Sequence, residues 1–149
     1  MPSSEPNAPA HWTQQDAARG YVDFARRCEA LFAALGTVAP RLDDPASTVA
    51  AAVLGRQLGL HAAAWSELVP ESVLLEDARA AAPARAEVPP TLDAIADALG
   101  ALRADIEAFL TRSSDVADAE ARALGRRMLD DIDASWAELR PSATEGANR

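Results

Sequence analysis

Residues 46–68, ASTVAAAVLGRQLGLHAAAWSEL, hold only two formal charges in 23 positions, Arg56 and Glu67. As a helix rising ~1.5 Å per residue the segment is roughly 33 Å long, and a helix apolar on every side is normally the inner member of a helical assembly. Such a length could also span a bilayer, but Arg56, Gln57 and His61 lie near its middle and would be costly in lipid, so no membrane partner is expected. The segment therefore predicts the inner element of an all-α bundle.

The rest of the chain agrees with that class. Its 149 residues suffice for one domain with a continuous core. Alanine occurs 36 times and strand formers are scarce, a composition that favours helices because alanine loses no side-chain entropy in them. All 14 basic residues are arginine, which with the alanine excess suggests a GC-rich bacterial genome. The chain is acidic, with net charge -9, and its arginines are scattered apart from Arg26-Arg27 and Arg126-Arg127. It lacks the concentrated positive field that phosphate binding needs, so no nucleic-acid partner is expected. The start, MPSSEPNAPAHW, has neither the basic nor the apolar region of a signal peptide, which predicts a cytoplasmic location. With Cys28 as the single cysteine, an intrachain disulfide and a CxxC site are excluded.

Four helices are predicted. The first, over 14–35, begins after Thr13, where T-Q-Q-D sets Asp16 for a capping box with Trp12 as a hydrophobic staple, and Gly36 is its expected stop. Ala17, Tyr21, Phe24, Cys28, Leu31 and Leu35 form its inward stripe. Asp44 followed by Pro45 reads as the N-cap and first position of the second helix, 45–68, which Pro70 closes. Gly55 and Gly59, four apart in that helix, allow either the close approach of a neighbour or room for something bound. The third helix, 91–112, alternates by three and four through Leu92, Ile95, Leu99, Leu102, Ile106 and Phe109. Ser113 or Ser114 is expected to cap the fourth, 115–139, with Ala121, Leu124, Met128, Ile132, Trp136 and Leu139 on its apolar face. Residues 1–12 and 141–149 read as disordered tails around a bundle spanning 13–140.

Short connections make the first and second helices, and the third and fourth, antiparallel hairpins. The connection 69–90 is instead long enough to cross the bundle end to end. Val73, Leu74 and Leu75 within it predict a short piece packed on the bundle. The predicted fold is thus an all-α four-helix bundle, two antiparallel hairpins joined by one long crossover.

That arrangement, with G-R-Q-L-G-L-H-A-A-A-W-S-E-L-V-P at 55–70 and L-G-R-R-M-L-D-D-I-D-A-S-W-A-E-L at 124–139, resembles the ferritin-like four-helix-bundle superfamily, in particular actinobacterial members of unassigned function. The resemblance covers roughly 13–140. Catalytic members of the superfamily hold a dinuclear metal with a Glu from each of two helices and a Glu-x-x-His from each of the others. Here Leu58 stands three positions before His61 and the fourth helix has no histidine. Asp130-x-x-Asp133 has ligand spacing but reads as a solvated face. The dinuclear motif is not retained, and neither a metal site nor a cofactor is expected.

Gln57, His61 and Trp65 share one face, because a fourfold step rotates only ~40° around a helix. His61 is read first as a buried imidazole bonded to Gln57 or to a facing helix, then as a pocket residue, and last as a metal ligand. Tyr21, Trp65 and Trp136 fit core packing, or with Gln57, His61 and Arg56 the wall of a ligand pocket. Cys28 reads as core filling. Arg56, a charge in the middle of the most apolar helix, calls for a carboxylate partner or a route to solvent, with anion binding the lesser alternative. No nucleophile–base pair or phosphate loop is present, so His61 is only a weak catalytic candidate. Two functions follow. One is a non-catalytic bundle acting through protein association, most simply as a homodimer that completes the burial of the second helix. The other is a protein of a bacterial specialised biosynthetic pathway, either a binder of a small apolar or aromatic molecule or a cofactor-independent enzyme, with its pocket around His61.

Overall fold

A computed structural model describes residues 13–71 and 87–139. The expected tails, Trp12 and the apolar triplet Val73–Leu75 lie outside the described residues. Among the described residues the structure is all-helical, with four α-helices and no strand: α1 Gln14–Val38, a 3-10 turn Ala39–Arg41, α2 Pro45–Glu67, α3 Leu92–Arg112 and α4 Ala119–Leu139. No described helix is long and apolar enough to cross a membrane.

The local signals at the helix starts act as their chemistry demands. Thr13 Oγ1 accepts from the Asp16 amide at 3.1 Å while Asp16 Oδ2 accepts from the Thr13 amide at 3.1 Å, a reciprocal capping box. The Thr13 hydroxyl, which donates to Asp16 Oδ2 at 2.7 Å, and then the Thr13 amide hold the Asp16 carboxyl below its ordinary pKa. Asp44 Oδ2 accepts from the Ser47 amide at 2.9 Å at the head of α2, and Thr91 Oγ1 accepts from the Ala94 amide at 3.3 Å at the head of α3.

Two boundaries depart from expectation. α1 does not stop at Gly36 but runs to Val38. Gly36 is exposed and helical, and the ladder ends instead at Pro40, which has no N–H to continue it. Ser113 and Ser114 do not start α4. Ser113 is the extended C-cap of α3, with its amide bonded to Phe109 O at 2.9 Å. The Ser114 hydroxyl accepts from the Ala117 amide at 3.2 Å in a turn that precedes α4. Arg122 of α4 fastens this corner. Its guanidinium donates to Ser113 O at 3.1 Å, to Ser113 Oγ at 2.8 Å and to Leu110 O, and pairs with Asp115 at 2.8 Å. It thus supplies donors to α3 carbonyls that have no partner within the helix.

Contacts along the helices set their directions. Tyr21 and Phe24 near the start of α1 meet Trp65 near the end of α2. Both also meet Phe109 near the end of α3, and one turn on Arg27 pairs with Asp105 at 2.6 Å. Met128, Asp131 and Ser135 ascend α4 as Trp65, His61 and Gln57 descend α2. Arg103 of α3 pairs with Asp133 of α4. Each packed pair, α1–α2, α1–α3, α2–α4 and α3–α4, is therefore antiparallel. Gly125 lets α3 and α4 close up: a Cβ there would lie 3.3 Å from Ile106 Cγ2, a distance only a shifted neighbour would relieve. Leu31, Leu35, Leu54, Leu58, Ile95, Leu102, Ile106 and Met128 fill the centre.

Candidate functional site

The α2 stripe that carries Gln57, His61 and Trp65 faces α4, whose Met128, Asp131 and Ser135 follow at steps of three and four. The two faces meet rung by rung. The Ser135 hydroxyl donates to Gln57 Oε1 at 2.8 Å. His61 Nε2 lies 2.8 Å from Asp131 Oδ2, and because a carboxylate only accepts, that ring nitrogen carries the proton. Trp65 Nε1 donates to Met128 Sδ at 3.4 Å, and Cys28 Sγ lies 3.9 Å from the same sulfur. His61 is 6% exposed and Trp65 fully buried. The ladder thus satisfies a buried imidazole and indole across one helix interface.

Trp65 is also the hub of an aromatic cluster. Tyr21 stacks on it at 5.5 Å between ring centroids, Phe24 tilts against it at 5.0 Å, and Phe109 meets it edge-on at 6.1 Å. The Tyr21 hydroxyl reaches Asp118 Oδ1 at 3.5 Å. Burial first, and Asp118 second, push the Tyr21 phenol up to about 12. Burial pushes the Cys28 thiol up to about 12 as well, which keeps it protonated and chemically quiet.

These two shifts give the fold a definite alkaline limit. A raised pKa means the folded chain keeps protons that the unfolded chain releases. The stabilisation is therefore complete below about pH 9 and is lost as pH climbs through 9–12. The chain has one cysteine, one tyrosine and no lysine, so Cys28 and Tyr21 alone should shape that limb. A loss of stability is therefore expected between pH 8.5 and 11.5, carried mainly by the buried Cys28 thiol. Urea midpoints across this range check it, and Cys28→Ala should flatten the slope.

The six candidate residues do not form one group. Tyr21 and Trp65 touch, and Gln57, His61 and Trp65 share the ladder. Trp136 is partly buried beside Ser135, about 27 Å along α4 from the Asp118 that Tyr21 reaches. Arg56 takes the route to solvent: it is exposed on the opposite side of α2, and among the described residues no carboxylate pairs with it. Asp131 and Ser135 are the partners that sequence reasoning missed. Asp131 sits between the spaced pair Asp130 and Asp133, which are both exposed. Its position three after Met128 and four before Ser135 was the available signal. Among the described residues no three His, Cys, Asp or Glu side chains are grouped so as to hold a metal ion.

The exposure of Arg56 reflects a larger correction. α2 is not enclosed on all sides. Leu54, Leu58, His61 and Trp65 turn inward, while Val49, Val53, Arg56, Leu60, Ala63 and Glu67 form an exposed outer stripe at steps of four and three. Among the described residues α2 packs mainly against α1 and α4, and no described helix covers its outer arc even though that arc is apolar. Val49 is 62%, Val53 45% and Leu60 58% exposed, and Phe32 of α1 adds 50% beside them. The Phe32 ring rests on Gly59, where a Cβ would meet it at an ordinary 3.5 Å. Phe32, Gly55, Arg56, Gly59 and Leu60 border an open groove of about 590 Å³ that reaches to Pro40.

Comparison of the chain with protein-family models, with curated proteins and with solved structures gives no match.

Proposed function

We propose that the protein is a non-catalytic helical bundle that acts through association, with the outer face of α2 as its docking surface and a second copy of the chain as the simplest partner. One observation carries this reading: the exposed apolar residues Val49, Val53 and Leu60, joined by Phe32, lie on one outer stripe of α2 that holds only one cation and one anion. Contiguous apolar surface of this kind is the usual mark of an interaction site. The buried ladder supports it by contrast, because His61, Gln57 and Trp65 spend their polar atoms on Asp131, Ser135 and Met128.

The ferritin-like topology is part of the same proposal. α2 and α3 are each antiparallel to α1, the helix directions that a hairpin, crossover, hairpin arrangement requires, and this supports it. With Leu58 in place of a glutamate three before His61, and no histidine in α4, a ferritin-like chain of this kind would lack the dinuclear ligand set.

Native mass spectrometry of the untreated protein tests the association. A dimer of the 15.7 kDa chain with no added mass is the expected species. A monomer carrying a small molecule would replace association with ligand binding.

A further inference from the structure

α2 carries one cation and one anion, and both lie on its outer stripe. Arg56 and Glu67 are eleven residues apart, a separation of three helical turns within ~20°, so they point the same way about 16 Å apart. Among the described residues neither takes part in an ion pair. A lone cation and a lone anion on one apolar stripe form a pattern that complements itself when reversed. We infer that α2 packs antiparallel against α2 of a second copy about a two-fold axis level with His61 and Ala62, so that Arg56 of each copy meets the partner's Glu67.

Symmetry selects this register. In a two-fold interface, if residue i touches residue j then j touches i, so one antiparallel alignment forms both ion pairs at once. A parallel two-fold pairing would set Arg56 against Arg56 and Glu67 against Glu67. Centring on Arg56 would do the same for the cations. In the inferred register the apolar stripe also closes. Leu60 faces the partner's Ala63, and the partner's Leu60 faces Ala63. The small, exposed Ala63 lies nearest the crossing, where backbones approach most closely. Each chain carries a charge of -9, which opposes association, and the paired ends give the interface the local complementarity that fixes orientation.

The inference rests on the association reading, and charge exchange separates the two. Arg56→Glu and Glu67→Arg each turn two attractions into two repulsions, so either variant alone should show a dissociation constant raised about tenfold or more. Mixed in equal amounts they regain both pairs, with Glu at 56 in one copy facing Arg at 67 in the other. The mixture should return to within about threefold of the native constant, and native mass spectrometry should show the heterodimer in excess over either homodimer. If both single variants dimerise like the native chain while Leu60→Glu is monomeric, the register is overturned and the association stands. If the native chain is itself monomeric, the association reading falls and the register with it.

Discussion

Leu60→Glu should convert the protein to a monomer while leaving its fold intact. Leu60 is 58% exposed at the middle of the outer stripe, so a carboxylate there can be solvated in the single chain and costs little in folding. At a two-fold interface the same change is felt twice, once from each copy, and buries two unpaired anions against apolar surface. A loss of ~2 kcal/mol per site, the scale of an interfacial hot spot, weakens the dimer by about 1000-fold. Circular dichroism and urea unfolding at low protein concentration should match the native chain, and the difference should emerge only as concentration rises.

The second large effect belongs to the interior. Trp65→Ala should lower stability by about 3–5 kcal/mol, a large share of the 5–15 kcal/mol typical of a domain this size. Trp65 is fully buried, stacks on Tyr21, meets Phe24 and Phe109, and donates its indole N–H to Met128. Removing it leaves three rings facing a void that joins α1, α2, α3 and α4 at one point. Trp136→Ala is the control. That ring is only partly buried, so its loss should cost well under half as much by urea unfolding.

The contrast between these two sites also shows what the sequence made legible. Capping is a contact of three residues, so Thr13 with Asp16 and Asp44 with Pro45 could be read directly, and both act as expected. The inward stripes of α1 and α3 were legible because charged residues marked their outer faces. α2 offers no such contrast. With apolar residues all round, the periodicity does not say which arc is covered. Arg56 was therefore read as a charge in the middle of a buried helix, although it marks the outer arc. Pairings across helices were harder still. That His61 has Asp131 opposite it depends on the rotation of α4 against α2, which no local spacing encodes. Gly36 misled for the opposite reason: an exposed glycine costs a helix only ~1 kcal/mol, and neighbouring contacts outweigh that.

The exposed outer stripe, with Arg56 unpaired among the described residues, bears on one property, the mass of the particle in solution. Sedimentation equilibrium of the native chain, from about 1 to 100 μM beside Leu60→Glu, measures it directly. The native chain should approach twice 15.7 kDa as concentration rises while the variant stays at the single-chain mass. A native chain that holds 15.7 kDa throughout would contradict association through the α2 face.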